Sequence, residues 1–261
     1  MLDINGAGAV ITGGSGGIGM ALAKKWLELG GRAVIADIDS TALNSAKDQL
    51  GRGVETFVCD VTKEEDNAAL AAFAIEKMGR INLVAPFAGI IKDAMMVSPD
   101  RETGKVTKKM SLTDFQKVID INLTGVFLTV RECAEQMVNH GCKGLICLVS
   151  STGSLGTAGQ INYASSKAAM SVMPKVITAE FFRRGIAGQI RCVAIAPGYV
   201  GTAMVKNMNQ KALDKILDDV PIGRLIEPEE VATFACDIYK NEALAGDTFY
   251  IHGGLRLGSK G

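Results

Sequence analysis

Seven short apolar runs alternate with longer stretches of helical period along this sequence, and this alternation constrains the fold more than any other feature. Runs rich in β-branched residues, separated by segments long enough for a crossover helix, are typical of βαβ units and of a parallel sheet covered on both faces. Predicted strands lie at 9–12, 33–37, 56–59, 83–86, 145–150, 191–196 and 248–251, and predicted helices at 18–29, 41–50, 63–78, 112–139, 163–183 and 228–239. The prediction is a single α/β domain over 1–261, a doubly wound, Rossmann-type parallel sheet of about seven strands with helices on both faces.

A glycine-rich turn, TGGSGGIG at 12–19, separates the first predicted strand from the first helix. Glycine lets the backbone approach a phosphate closely, and the helix that follows offers free N–H groups and the positive end of its dipole. The turn fits G-x-G-x-x-G from Gly14 and also T-G-x-x-x-G-x-G from Thr12. Asp37 ends the second predicted strand, where a carboxylate would accept hydrogen bonds from the ribose hydroxyls of a dinucleotide and repel a 2′-phosphate. These signals favour NAD over NADP, and the alternative is a glycine turn with a purely structural role.

The charge balance and the cysteine and histidine content exclude several classes of function. Lysine plus arginine and aspartate plus glutamate both total 28, so the formal net charge is zero, which argues against a nucleic-acid-binding protein. No apolar run is long enough to span a bilayer and no secretory signal is visible, so no membrane association and a cytoplasmic location are expected. Six cysteines without a C-x-x-C pair and only two histidines make a metal site improbable.

Tyr163 and Lys167 stand four residues apart on a predicted helix, so their side chains share one face. A tyrosine has a pKa near ~10, and an ammonium group beside it favours the phenolate and lowers that pKa. Such a pair can pass a proton to or from an alcohol or carbonyl oxygen, and Ser150 at the end of a predicted strand could hydrogen-bond the same oxygen. Taken alone, the pair also fits a core tyrosine and a solvated lysine.

In combination, these motifs resemble the short-chain dehydrogenase/reductase family over essentially the whole chain. The resemblance favours the T-G-x-x-x-G-x-G reading, and the spacing of thirteen positions from Ser150 to Tyr163 selects Ser150 over its neighbour Ser151. Further matching pieces are Asp60 after the third strand, IDINLTGVF around Asn122, and APGYVGT at 196–202.

The resemblance implies a role for each matching residue. Tyr163 would be the general acid/base, Lys167 would lower its pKa and bind the nicotinamide ribose, and Ser150 would orient the substrate oxygen. Asn122 would help to hold a proton-relay water. The implied cofactor-binding residues are Gly13, Ser15, Gly17, Ile18, Gly19, Asp37, Asp60, Val61, Ala88, Gly89, Tyr163, Lys167, Pro197, Gly198, Val200 and Thr202, and no metal is implied. NADP users of the family commonly carry a basic residue at the place of Gly16 or after the second strand. This sequence has a basic residue at neither place, which agrees with NAD as the cofactor.

Several stretches depart from the family's pattern. Pro86 and Phe87 stand where the family has paired asparagines, and Cys192-Val193 replaces its Val-Asn. The polar, turn-rich stretch 91–111 predicts a surface excursion, and the amphipathic stretch 201–220 predicts either a core-packed helix or a substrate lid. The lid's apolar side would be Met204, Val205, Met208, Leu213, Ile216 and Leu217.

The expected function is an NAD(H)-dependent oxidoreductase that interconverts a secondary alcohol and its ketone. An apolar lid predicts a substrate with a hydrophobic body, such as a 3-hydroxyacyl compound, a cyclic alcohol or a steroid-like ring. A 3-oxoacyl thioester reductase and a non-catalytic NAD(H)-binding sensor are the alternatives. The apolar stripes of 112–139 and 163–183 and the resemblance together predict a homotetramer.

Overall fold

Strands and helices alternate in the structure as the sequence predicts. The structure, a computed structural model, describes residues 1–202, 205 and 210–255. The strands are β1 Gly8–Thr12, β2 Arg32–Asp37, β3 Val54–Val58, β4 Leu83–Pro86, β5 Val97–Pro99, β6 Val106–Lys109, β7 Gly144–Val149, β8 Ile190–Pro197 and β9 Thr248–Ile251. The helices are α1 Gly17–Glu28, α2 Ser40–Leu50, α3 Glu64–Met78, α4 Leu112–Ile119, α5 Val126–Asn139, α6 Ile161–Arg183, α7 Gln210–Asp218 and α8 Pro228–Lys240.

Seven of the described strands form one parallel sheet in the order β3-β2-β1-β4-β7-β8-β9. The chain builds outward from β1 to β3 and then returns to place β4 on the other side of β1, so the direction of winding reverses between β1 and β4. Ligands of doubly wound sheets bind at this reversal, beyond the carboxyl ends of the strands. The predicted fold class is confirmed.

Each face of the sheet is covered by helices. Along β1, Ile11 belongs to an apolar cluster with the residues of α1 and α8, and Val10 belongs to a second cluster with residues of α3, α5 and α6. Trp26 of α1 and Tyr239 of α8 stack edge to face with ring centroids 4.8 Å apart. A sheet packed on both faces holds its strand ends rigidly, and these ends carry the site described below.

The single helix predicted at 112–139 is divided in the structure. A π-helical turn, Asp120–Gly125, separates α4 from α5. A Cβ atom on Gly125 would lie 2.8 Å from Val61 Cγ2, so the helix passes unusually close to the loop after β3. The π-helical turn contains Asn122, and a hydrophobic period alone does not predict it.

The structure describes all of the predicted surface excursion 91–111 but only part of the predicted lid 201–220. The stretch 91–111 contains the antiparallel hairpin of β5 and β6, whose turn is capped by the Asp100 carboxylate. Of the predicted lid 201–220, residues 203–204 and 206–209, including Met204 and Met208, lie outside the described residues, and α7 follows them. The part of the chain that the structure describes contains no helix long and apolar enough to cross a bilayer.

Candidate cofactor and active site

The glycine turn between β1 and α1 requires glycine for two physical reasons. Gly13 has a φ of +64°, and a Cβ atom there would lie 2.8 Å from the Ala88 backbone nitrogen. A Cβ atom on Gly19 would lie 2.3 Å from the Gly13 carbonyl oxygen. The turn is therefore packed backbone against backbone, and it leaves the N–H groups at the start of α1 facing the open end of the sheet. Because no acidic residue stands in the first turn of α1, this end suits an anion.

A cleft of about 470 Å³ opens over this turn and collects most of the predicted cofactor-binding residues. Its lining includes Gly13, Ser15, Gly17, Ile18, Gly19, Asp37, Asp60, Val61, Ala88, Gly89 and Thr202. A second pocket of about 220 Å³ shares Ile18, Gly89 and Thr202 with the cleft. Its lining adds Ser150, Tyr163, Lys167, Pro197, Gly198 and Val200. An elongated ligand could therefore extend from Asp37 over the glycine turn to Tyr163.

Asp37 lies at the carboxyl end of β2, beside the glycine turn. The Ser15 hydroxyl donates to Asp37 Oδ2 at 2.5 Å, and the Ile38 N–H group donates to Oδ1 at 2.8 Å. Within the described residues, Asp37 forms no ion pair. Its negative charge therefore faces the cleft without a neutralising partner.

Asp60 and Val61 form the neighbouring wall, after β3. The Thr62 hydroxyl donates to Asp60 Oδ1 at 2.7 Å and lowers the pKa of that carboxyl. The Val61 carbonyl accepts a hydrogen bond from the Asn67 amide at 2.8 Å. The loop is thus held by its own side chains and by α3, and it offers a fixed wall to a flat ligand.

Ala88 and Gly89 follow β4 and pass directly beneath the glycine turn. The Ala88 N–H group donates to the Thr12 hydroxyl at 3.3 Å. Phe87, which stands where the family has asparagine, lines both the cleft and the second pocket and packs against the core. Its ring therefore replaces a polar side chain with an apolar wall between the two spaces.

Asn122 lies behind these residues and lines neither space. Its Oδ1 accepts a hydrogen bond from the Ile90 N–H group at 2.8 Å, and its Nδ2 donates to the Ile90 carbonyl at 2.9 Å. A Cβ atom on Gly89 would lie 3.3 Å from Asn122 Oδ1. The side chain therefore fixes the loop after β4.

Lys167 is buried behind Tyr163, with 5% of the residue exposed. Its Nζ donates to the Val149 carbonyl at 2.9 Å and lies 5.7 Å from the centroid of the Tyr163 ring. Burial lowers the pKa of Lys167 to about 8. The ammonium group is thus held by one backbone carbonyl at the junction of the cleft and the second pocket.

The pKa of Tyr163 is raised, chiefly by burial. A side-chain hydrogen bond from Ser151 opposes the rise, and the negative charge of Asp93 adds to it. In this structure Lys167 Nζ donates to the Val149 carbonyl, and desolvation of the phenol dominates the pKa of Tyr163. That Lys167 lowers this pKa stays a prediction.

Ser150 lies at the wall of the second pocket, but its hydroxyl is bonded into the protein. Only 2% of the residue is exposed. The hydroxyl donates to the Lys167 carbonyl at 2.7 Å and lies 2.7 Å from the Ser171 hydroxyl. Side chains alternate along a strand, and Ser150 continues the face of β7 that packs against α6. Its hydroxyl therefore joins β7 to α6.

Ser151 carries the hydroxyl that lies beside Tyr163. The hydrogen bond that acts on the Tyr163 pKa comes from Ser151. Ser151 Oγ and Tyr163 Cε1 lie 3.3 and 3.4 Å from the position that a Cβ atom on Gly153 would occupy. In this structure the Ser150 hydroxyl is bonded to α6, whereas Ser151 lines the second pocket beside Tyr163. The assignment of Ser150 to the substrate oxygen, which rests on a thirteen-residue spacing, stays a prediction.

Residues after β8 close the second pocket. Val200 pairs with Ile226 through an isolated parallel bridge, and a Cβ atom on Gly198 would lie 3.0 Å from His252 Cα. A Cβ atom on Gly17 would lie 3.4 Å from Thr202 Cγ2, so this loop reaches back to the glycine turn. The motif APGYVGT thus meets the motif TGGSGGIG at the junction of the two spaces.

Several residues at the second pocket or beside it were absent from the sequence-based set, among them Tyr199, Asp93 and Gln160. Tyr199 lines the pocket, and it belongs to the recognised motif at 196–202, which could have revealed it. Gln160 donates from Nε2 to Asp93 Oδ2 at 2.9 Å, so this pair bridges two loops near Tyr163. Asp93 and Gln160 gave no sequence signal, because they are 67 residues apart and only the fold brings them together.

The chain is similar to known oxidoreductases over nearly its full length. The family model described as short chain dehydrogenase matches residues 7–213. The 3-oxoacyl-[acyl-carrier-protein] reductase FabG of Rickettsia prowazekii (strain Madrid E) is 31% identical over 259 residues, covering 98% of this chain and 100% of the relative. Nodulation protein G of Rhizobium sp. (strain N33) is 30% identical with the same coverage. The crystal structure of the short-chain dehydrogenase/reductase SDR:Glucose/ribitol dehydrogenase from Brucella melitensis superposes with a TM-score of 0.84, at 25% identity and with 98% of each chain covered.

Proposed function

Since the chain belongs to the short-chain dehydrogenase family, we propose that it is an NAD(H)-dependent oxidoreductase that interconverts a secondary alcohol and its ketone. The observation that carries the choice of NAD is the charge of the cofactor cleft. Its described lining includes two carboxylates, Asp37 and Asp60, and no lysine or arginine. A 2′-phosphate would face these carboxylates without a cation to neutralise it.

The shape of the cleft fits a dinucleotide at each of its parts. The bare backbone of Gly13, Gly17 and Gly19 would hold the pyrophosphate against the N-terminus of α1. Asp37 would accept hydrogen bonds from the adenine ribose, and the wall at 59–61 would lie against the adenine. When bound, the nicotinamide would accept or give a hydride at the second pocket.

Tyr163 would hold or move the proton of the substrate oxygen. Ser151 would donate the hydrogen bond of its single hydroxyl to that oxygen, since it lines the second pocket beside Tyr163. Lys167 lines the second pocket, so its ammonium group would stabilise the phenolate when the ligand fills the junction. Asn122 would keep the loop after β4 in place.

The second pocket favours a substrate with an apolar body. The lining side chains other than Tyr163, Lys167 and the two serines are largely apolar, among them Phe87, Ile91, Val200 and Val205. Burial of such a body would exclude water from the reacting oxygen. We therefore propose 3-hydroxyacyl compounds, cyclic alcohols and steroid-like alcohols as the substrate classes to test first.

The experiment that tests the proposal measures nucleotide reduction from NAD and, in parallel, NADP across a panel of these alcohols. We expect turnover with NAD, and Tyr163→Phe should lower the rate at least about 100-fold while NADH affinity changes by less than about threefold. Equal affinity for NADH and NADPH in the wild-type protein would contradict the choice of NAD. Equal losses of rate and of NADH affinity in Tyr163→Phe would contradict the role of the phenol.

A 3-oxoacyl thioester reductase is the second candidate, because the relative from Rickettsia prowazekii bears that name at 31% identity. A thioester reductase would require the thioester group of its substrate, whereas a general alcohol dehydrogenase would not. Comparing a 3-oxoacyl thioester with a free 3-oxo ester of the same chain length separates them. A preference of about 100-fold or more for the thioester would favour this candidate.

A further inference from the structure

The Ser15 hydroxyl is tied to Asp37 although it stands in a turn built for phosphate. Ser15 lies in the middle of TGGSGGIG, surrounded by glycine. A hydroxyl at the mouth of a phosphate-binding turn is a natural donor to a phosphate oxygen. In this protein the same hydroxyl donates to Asp37 Oδ2 at 2.5 Å, across 22 residues of sequence. Its one proton is therefore committed to the carboxylate.

The Asp37 carboxylate is bound at both of its oxygens. Ser15 engages Oδ2 from the glycine turn, and the Ile38 N–H group engages Oδ1 at 2.8 Å from the other side. The Asp39 N–H group is more distant from Oδ1, at 3.5 Å. Each carboxylate oxygen accepts more than one hydrogen bond, so both keep a direction free for ribose hydroxyls. Two bonds on different oxygens fix the plane of the carboxylate, which Ile38 alone would leave free to turn.

We propose that Ser15 is a positioning residue for nucleotide specificity, which acts by holding the Asp37 carboxylate toward the 2′-oxygen of the adenine ribose. This inference rests on the proposed use of NAD. With Ser15 bonded, Asp37 accepts hydrogen bonds from the ribose and repels a 2′-phosphate. Without that bond, Asp37 can rotate toward solvent, which weakens NAD binding and relieves the repulsion of the phosphate.

The bond also withdraws a donor from any phosphate at this position. A Ser15 hydroxyl that donates to Asp37 presents only its acceptor lone pairs to the cleft, and these do not favour an anion. The held carboxylate of Asp37 and the missing Ser15 donor both favour NADH over NADPH. The effect of Ser15 on specificity therefore depends on Asp37 being present, which distinguishes it from a direct contact with the cofactor.

The test is a double-mutant cycle on binding, without turnover. Dissociation constants of NADH and NADPH would be measured by nucleotide fluorescence, and those of adenosine 5′-monophosphate and adenosine 2′,5′-bisphosphate by competition. The proteins are the wild type, Ser15→Ala, Asp37→Ala and the double variant. We expect Ser15→Ala to lower the NADH-over-NADPH preference about fivefold to tenfold and the double variant to match Asp37→Ala within about twofold. Ser15→Thr, which keeps the hydroxyl, should keep the preference, and Ser45→Ala is the control on an exposed helix.

Each outcome decides between the assignments. An unchanged preference in Ser15→Ala would overturn the positioning role of Ser15. If Ser15→Ala changes the preference equally in the wild-type protein and in Asp37→Ala, the positioning role is also overturned, because Ser15 would then contact the nucleotide directly. If the wild-type protein shows no preference for NADH, the proposed use of NAD fails. If it prefers NADH and Asp37→Ala leaves that preference unchanged, the use of NAD stands, but Asp37 does not set it and the role of Ser15 is overturned. If Ser15→Ala does not fold, Ser15→Thr decides. A retained preference for NADH over NADPH would support the inference, and a loss as large as that in Asp37→Ala would overturn it.

Discussion

At the residue scale, neighbouring side chains of the same type have different environments and therefore different roles. Ser150 and Ser151 differ in sequence position by one, yet one hydroxyl is bonded to the backbone of α6 and the other lies beside the phenol of Tyr163. Lys167 is likewise defined by its surroundings, because burial beside a single carbonyl oxygen changes its proton affinity. The contacts of each side chain therefore determine its chemical properties. Substitutions of the two serines and of Lys167 test this.

The two serines provide a matched pair of variants. Ser151→Ala should lower the turnover rate about 100-fold or more, because it removes the donor next to the reacting oxygen. Ser150→Ala should lower it by less than about tenfold and reduce the free energy of unfolding by about 1 to 2 kcal/mol, since it removes a buried hydrogen bond. Steady-state kinetics and urea unfolding measure both effects. The reverse ranking of the two rates would support Ser150 as the serine that orients the substrate oxygen.

Stability should depend on pH through Lys167. Its pKa falls from 10.5 to about 8 on folding, so between these values the unfolded chain binds more protons than the folded one. The folded state therefore carries the full cost of the buried charge below pH 8, and that cost is lost as the pH rises toward 10.5. Relative to Lys167→Met, the wild-type free energy of unfolding should rise by about 3 kcal/mol across this window. A difference between the two proteins that stays constant with pH, measured by urea unfolding, would contradict the shift.

At the scale of elements, the site depends on how closely segments of backbone approach one another. The turn after β1 touches the turn after β4 at Gly13, and the π-helical turn passes the loop after β3 at Gly125. Both approaches exist only because the residue has no side chain. The positions of Asn122 and of the glycine turn are therefore properties of packed segments rather than of single residues.

Gly13→Ala should reveal this dependence, with Gly79→Ala as its control. Both glycines have a positive φ, but a Cβ atom on Gly13 would meet Ala88 at 2.8 Å, whereas one on Gly79 would have no atom within 4 Å. Gly79→Ala should lower the free energy of unfolding by about 1 kcal/mol, and Gly13→Ala by about 3 kcal/mol. Gly13→Ala should also weaken NADH binding more than about tenfold, while Gly79→Ala leaves it unchanged. Equal losses in the two variants, measured by urea unfolding and nucleotide fluorescence, would show that the close approach has no effect.

At the scale of the whole molecule, part of the apolar surface lies outside the core. Ile161, Val172 and Val176 of α6 are 42%, 57% and 49% exposed, and their spacing places them on one face of the helix. The Phe127 ring of α5 is 48% exposed as well. We propose that further copies of the chain cover this face and that the protein is a homotetramer.

The oligomeric state can be measured directly. Light scattering should give about four times the 27.5 kDa mass of the chain. Val172→Glu should shift the population to smaller species, because it places a charge at the centre of the exposed apolar face. Lys175→Gln, which changes the net charge by the same one unit, would be a control for the change of charge on the same helix. A monomer mass that does not vary with concentration would contradict the proposal.

The sequence by itself determined the layered fold and the identity of most groups at the site. Alternating strands and helices permit few arrangements other than a doubly wound sheet, and the carboxyl ends of its strands must then gather the turns after β1, β4, β7 and β8. Only the tertiary structure decided the surroundings of the two serines, the division of 112–139 by a π-helical turn, and the contacts of Ser15 with Asp37 and of Asp93 with Gln160. The physical reason is that strand and helix periods follow from local residue patterns, whereas the direction of a hydroxyl and the shift of a pKa depend on atoms that lie far away in sequence and close in space.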